Sequence, residues 1–236
     1  MDRSVINRLG RNITLLTVGN PKIAKSVGEG YATAGLSLAP AWESGHNTCA
    51  CHTLECAEAC LNKAGRGAMK NVQEARIRRT KMFFEAQDHF IDHLNADIYQ
   101  FCRNASELSL KVALRLNILS DIRWERYGIM KRWPALQFYD YTKIANRKNL
   151  PSNYKLTFSF SGSNLAACKT ALANGMGVAV PFFDTLPETW LGHKVIDGDA
   201  NDLRFLDPTP CIVGLRAKGP LRKLPQSPFL GNNHAV

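Results

Sequence analysis

Short apolar runs recur along most of the chain, separated by helix-like or loop segments. They are Lys111–Asn117, Gln137–Thr142, Lys155–Ser161, Gly177–Phe182, Lys194–Asp197 and Cys211–Leu215, each rich in Val, Ile, Leu, Phe or Tyr. Runs of this kind suit strands buried on both faces, as in a parallel sheet covered by helices. Two earlier runs join them. Ile13–Val18 is β-branched and apolar and is stopped by Gly19-Asn20-Pro21, and Tyr31–Leu38 is closed by Pro40. Between the early and late runs the period becomes helical. Helix begins near Glu55, is interrupted at Gly65 and Gly67, and resumes over 71–84 and 86–103. Met82, Phe83, Ala86, Phe90, Leu94, Ile98 and Phe101 fall at helical spacing and read as core.

This alternation predicts an α/β fold. The expected form is a parallel-strand partial or complete (β/α) barrel with a Cys-rich metal loop near the N-terminus; an open doubly wound sheet is the alternative. Residues 1–219 read as a single domain. Residues 220–236, with Pro220, Pro225 and Pro228, read as a flexible tail.

Composition narrows the partners. No apolar run approaches the roughly 18–20 residues that span a membrane. The first residues lack the charged-then-apolar layout of a signal peptide. The expected compartment is the cytoplasm. A net charge of +10 favours polyanions, with nucleic acid first and DNA ahead of RNA. Lys63, Arg66, Lys70, Arg76, Arg78, Arg79 and Lys81 concentrate charge after the cysteines. Of these, Arg66, Lys70, Arg76, Arg78 and Arg79 are the candidate nucleic-acid contacts. A second group, Arg123, Arg126, Lys131 and Arg132, is interleaved with Trp124, Tyr127 and Trp133. Such interleaving suits phosphate contacts with base stacking, or equally a solvated face over a core.

Seven cysteines, an odd number, read as thiols or metal ligands in a reducing compartment. Cys102, Cys168 and Cys211 are scattered among apolar neighbours and read as buried hydrophobes. Cys49, Cys51, Cys56 and Cys60 cluster. Cys56 and Cys60, four apart, would share one face of a helix, and Cys49 would fold back towards them from a loop. Thiolates select zinc or iron–sulfur clusters. Three cysteines would hold an iron–sulfur cluster with one iron open to a cofactor. A closed structural zinc site would need a fourth ligand from Cys51 or His52.

Several runs end in polar residues, and a parallel barrel places its active site at the C-terminal ends of its strands. Asp121, Asp140 and Arg115 are the candidate catalytic residues; Asn117, Ser161, Asp197 and Asp199 are candidates for binding a cofactor. The plainer reading makes them helix caps and loop residues.

Three stretches carry a resemblance. Leu15-Leu16-Thr17-Val18-Gly19-Asn20-Pro21-Lys22, the Cys49/Cys56/Cys60 cluster with Gly65-Arg66-Gly67, and Ile196-Asp197-Gly198-Asp199 together resemble the phage and prophage gene product 88 family, from about residue 10 to 219. The resemblance implies a phage-type protein. The order of a strand, a cysteine loop, a helix and further strand–helix units also resembles radical S-adenosylmethionine enzymes. In those enzymes the cysteine spacing is Cys-x3-Cys-x2-Cys, against Cys49-x6-Cys56-x3-Cys60 here. That likeness implies an iron–sulfur cluster and S-adenosylmethionine, acting on nucleic acid or a nucleotide. Two other functions stay open: a nucleobase-acting glycosyl transferase or hydrolase with structural zinc, and a non-enzymatic nucleic-acid-binding phage protein.

Overall fold

The computed structural model describes residues 3–18 and 21–234, with no side chains described for 21–24. Gly19 and Asn20, read as the stop of the first strand, lie outside the described residues. Strands β1 (Leu16–Thr17), β2 (Tyr31–Leu36), β3 (Lys111–Arg115), β4 (Gln137–Thr142), β5 (Tyr154–Ser159), β6 (Val178–Phe182), β7 (Thr189–Trp190), β8 (His193–Asp197) and β9 (Ile212–Arg216) form one sheet. The helices are α1 (Arg3–Leu9), α2 (Pro21–Gly28), α3 (Leu54–Glu58), α4 (Lys70–Glu85), α5 (Gln87–Ser106), α6 (Ile129–Arg132) and α7 (Leu165–Ala173). All the late apolar runs are strands; Gln137–Thr142 coincides with β4, and the others are shifted by a residue or two at their ends.

Strand order is β1-β2-β3-β4-β5-β6-β9-β8-β7. From β2 to β8 every neighbouring pair is parallel; β1 and β7 join antiparallel at the two edges. A sheet with two edges is open, so the expectation of a complete barrel is not met. No helix among the described residues is long and apolar enough to cross a membrane.

The steps from β2 to β6 all move the same way, and their helical connections pack on one face. There Phe83, Phe90, Leu94, Ile98 and Phe101 meet Leu36, Leu114, Phe138 and Leu156 in the main core. On the same side, α7 meets Phe158, Val178 and Val180. The step from β8 to β9 goes backwards. A right-handed crossover that steps back must run over the opposite face, and residues 198–211 do so. Phe205 lies 5.2 Å from the Tyr31 ring and 5.4 Å from the Tyr139 ring. Asp202 sits 3.1 Å from Arg115. Arg204 is buried beside Asp207, at 3.1 Å, and donates to Asn201. The second face of the sheet is thus covered over β4 and β5 by this return segment, which includes the 3-10 turn Arg204–Leu206.

Buried carboxylates tie the layers. Asp97 on α5 accepts from the backbone N–H groups of Thr14, Leu15 and Leu16, the shortest at 2.6 Å. Asp140 on β4 points to the helical side. It accepts from Asn117 N at 2.7 Å, Asn117 Nδ2 at 3.2 Å and the Tyr154 hydroxyl at 2.8 Å, which joins β3, β4 and β5. The Asn117 side chain is itself saturated by Ser120, Ile122 and Trp124. Residues 220–234, within the expected flexible tail, pack with Leu221 and Leu230 buried against Ala59 and Ala217.

Removing the Asp97 carboxylate strands three backbone donors. Asp97→Ala is expected to lower unfolding free energy by about 3 kcal/mol, measured by urea denaturation, while the exposed Asp88→Ala changes it little. Burial pushes the Asp140 carboxyl up to about 7, against the pull of the donors from Asn117 and Tyr154. Because the folded state holds this proton more tightly than the unfolded chain, the stability it contributes is full below about 4 and lost as pH rises through about 7. Asp140→Asn should therefore flatten the fall in the urea midpoint between pH 5 and pH 8; an unchanged pH profile would refute this role.

Candidate functional site

The segment between β2 and α3 crosses the C-terminal ends of the parallel strands, held by polar contacts at each step. Ala39 N donates to Thr80 Oγ1 on α4 at 2.8 Å, and Thr48 Oγ1 donates to Ala39 O at 2.6 Å. Asp121 N, beyond β3, donates to Thr48 O at 2.8 Å. Cys49 follows, with its thiol donating to Leu119 O at 3.2 Å, also beyond β3. Thr53 caps α3: its Oγ1 accepts from Cys56 N at 3.2 Å and donates to Ser161 O, beyond β5, at 2.8 Å. Thr and Ser at a helix N-cap satisfy donors that the first turn leaves free, and here the cap also fastens the cysteine loop to the sheet.

Cys56 lies in the single turn of α3. Cys60 does not share that helix, which ends at Glu58; it precedes the 3-10 turn Leu61–Lys63 instead. The four-residue spacing therefore spans a helix end rather than one helix face. Burial pushes both the Cys49 and the Cys60 thiols up. The N–H groups of Ala41 and Asn62 oppose this by donating to Cys49 and Cys60 respectively. Cys56 acts on both of the other thiols, Lys143 acts on Cys49, and Arg76 on Cys60. Three thiols thus share one electrostatic neighbourhood flanked by two cations. Among the described residues, no group of three or more His, Cys, Asp and Glu side chains is placed so as to hold a metal ion. Cys51 is exposed. The His52 ring places Nδ1 2.6 Å from Cys49 O.

The other candidates divide by location. Ser161 is at the mouth: it is 1% exposed, and its hydroxyl has no hydrogen-bond partner. Asp121 is there too, but its oxygens are engaged by Thr142 Oγ1 at 2.8 Å and Lys143 N at 2.7 Å, with Arg147 at 3.7 Å. Arg115 lies deeper, on the face covered by residues 198–211, with its guanidinium 4.5 Å from the Tyr141 ring. Asn117 and Asp140 belong to the bracket on the helical side. Asp197 and Asp199 stand at the β8–β9 ends, paired with Arg216 and Lys218. The structure therefore gathers Asp121, Ser161 and the three cysteines at the C-terminal end of the sheet, whereas Arg115, Asn117 and Asp140, near that same end, are turned into its two packed faces.

Among the basic residues, Arg66, Lys70 and Arg78 are exposed, whereas two turn inward. Arg76 contacts Asn62 Oδ1 and donates to Gly67 O at 3.2 Å, and Arg79 donates to Thr14 O at 3.0 Å. Lys143 follows the run Gln137–Thr142 and reads from the sequence as a strand-end cation, whereas Thr53 carries no role in the sequence reading. The contact of Thr53 with Ser161 spans 108 residues and leaves no local signal.

A family model described as gene product 88 matches residues 14–228. No curated protein and no solved structure matches the chain. With most of its length matched, the chain belongs to the phage gene product 88 family.

Proposed function

We propose that this chain is an iron–sulfur enzyme of radical S-adenosylmethionine type, working in the host cytoplasm on a nucleotide or nucleic acid. The carrying observation is the convergence of Cys49, Cys56 and Cys60 at the C-terminal ends of a parallel sheet, in the loop after its first parallel strand. Enzymes of parallel α/β architecture work at that end. The sequential, parallel order β2 to β6 is one that partial barrels also have.

The donor set fits a thiolate-ligated cluster in its chemistry. Three soft ligands lie beside Lys143, Arg76 and two backbone N–H donors, which together offset negative charge. Hydrogen bonds to sulfur and nearby charge are the levers by which a protein tunes such a cluster. As placed, the thiols do not form a closed ligand set, so ligation would draw the loop together and couple metal binding to local folding. Cys49, Cys56 and Cys60 would hold the cluster, which when bound supplies one-electron chemistry to S-adenosylmethionine. The protein's own residues bind and orient. The unpartnered Ser161 hydroxyl and the Lys143 ammonium offer a donor and a positive charge to the cofactor's polar end. Asp121 is a positioning residue, fixing the turn that presents Lys143.

One observation favours a second reading. With Nδ1 of His52 engaged by Cys49 O, its Nε2 is left to ligate, the arrangement usual for a metal-bound histidine. Cys49, Cys56, Cys60 and His52 would then be a structural zinc set. A glycosyl-transfer role for Asp121 or Asp140 is disfavoured, because donors engage both carboxylates.

Anaerobically purified protein is expected to contain iron and acid-labile sulfide and to be coloured. Each of Cys49→Ser, Cys56→Ser and Cys60→Ser should lose both, and Cys211→Ser neither. Stoichiometric zinc without sulfide, lost in His52→Ala, would replace this reading with the zinc one; metal-free protein would end both. For the loaded protein, Lys143→Ala should weaken S-adenosylmethionine binding about tenfold, the order expected for loss of a charged hydrogen bond; unchanged affinity in calorimetry would remove Lys143 from the site.

A further inference from the structure

Two segments far apart in sequence meet beside the cysteines and carry charge of one sign. Residues 61–70 contain Lys63, Arg66 and Lys70, and residues 216–224 contain Arg216, Lys218, Arg222 and Lys223; neither contains an acid. The turns Leu61–Lys63 and Gly219–Lys223 pack against each other. They meet tightly at Gly219, at φ +57°, where an added Cβ would lie 2.5 Å from Ala64 Cβ. Only glycine allows both that backbone angle and that contact.

The acids that face this ridge come from other elements, and most are engaged. Asp197 and Asp199 pair with Arg216 and Lys218. Glu74 stands 4.0 Å from Lys70, and Glu43 accepts from Asn62 Nδ2 at 2.7 Å. Glu58, exposed on α3, remains. Lys63, Arg66, Arg222 and Lys223 are exposed with no carboxylate within ion-pair distance among the described contacts. The Glu43–Asn62 bond also places Trp42 at the edge of the ridge, 63% exposed, and Leu61 and Met69 expose apolar surface within it at 51% and 54%.

We infer that this ridge, with Trp42 at its edge, binds single-stranded nucleic acid across the mouth that holds the cysteines. Cations without acids suit a phosphate backbone. Exposed apolar side chains between them, one of them an indole, suit unstacked bases, which a duplex keeps hidden. The inference builds on the nucleic-acid part of the proposed function and is independent of any metal. It also moves the expected contact surface: Arg66 and Lys70 stay in it, Arg76 and Arg79 leave it, and Lys63, Arg222, Lys223 and Trp42 enter.

The test is fluorescence anisotropy of a labelled single-stranded oligonucleotide over a salt series, with metal-loaded and chelated full-length protein. Affinity should fall with salt in both. The slope of log K against log salt should drop by about 1.4 in Arg222→Ala/Lys223→Ala, as for two lost phosphate contacts. Lys63→Ala/Arg66→Ala should behave alike. Trp42→Ala should weaken binding about tenfold without changing the slope, as loss of a stacking contact does. Lys131→Ala/Arg132→Ala, exposed and outside both ridge segments, serves as the control. Absence of binding at low salt, or an equal loss in the control, would overturn the proposal. So would equal affinity for duplex or for polyglutamate with no effect of Trp42→Ala, which would mark a bare polyanion surface. Binding that survives metal removal supports the ridge even if the iron–sulfur reading fails. Binding that disappears with the metal would overturn its independence.

Discussion

The handedness of one connection governs what this sheet can do. Five parallel strands step forward with helices over one face, and then β9 is inserted backwards between β6 and β8. Right-handed crossovers leave that return no route except over the other face. The return chain fills that face with Phe205, Leu203 and the Arg115–Asp202 and Arg204–Asp207 pairs. An open parallel sheet normally offers its C-terminal rim and an adjoining concavity to ligands. With the concavity occupied, the rim remains, and the rim is where the loop from β2 to α3 sits.

Buried carboxylates organise that rim. A chain that leaves a strand presents backbone donors that no neighbour pairs, and leaving them unpaired costs free energy. Asp97 takes three such donors at the entry to β1, Asp140 takes one beyond β3, and Asp121 takes one beyond β4. Residues of this type at strand ends are what an active site would also contain. For Asn117 and Asp140 the structural role accounts for every hydrogen bond observed. Ser161 differs, since burial leaves its hydroxyl with nothing to bind. That contrast, rather than residue type, separates a bracket from a candidate contact.

Much of the fold was legible because buried parallel strands announce themselves as short unbroken apolar runs. Gln137–Thr142 was read to the residue. Less was visible where the signal was local and weak. The two-residue strand β7 pairs with β8 across the tight turn at Leu191-Gly192, too short for periodicity to register. The return of residues 198–211 over the sheet depends on strand order, which composition does not encode. Arg76 and Arg79 were within reach of a closer reading. On α4, Arg76 precedes Thr80 by four residues and Arg79 precedes Phe83 by four, so both lean over the buried face that Thr80 and Phe83 define. Arg78 and Lys81 fall on the other side and are exposed. Helical phase, applied to charged as well as apolar residues, sorts a basic helix into inner and outer cations.

That sorting changes how the net charge of +10 should be understood. Several of the basic residues lie inside the molecule. Arg76, Arg115, Arg147 and Arg204 are drawn into contacts with carbonyls, carboxylates and rings, and contribute little field to solvent. The outward charge gathers where two acid-free segments meet, next to the three cysteines. Arg76 and Lys143 face the thiols from within, while Lys63, Arg66, Arg222 and Lys223 face outward. A thiolate centre near such a rim would sit in a positive potential, which favours the ionised sulfurs that metal ligation requires. An anion arriving at the rim would meet the same potential. On the reading proposed above, one charge distribution would serve both the holding of a metal by cysteine and the approach of a polyanion, and the two would share the mouth without competing for residues.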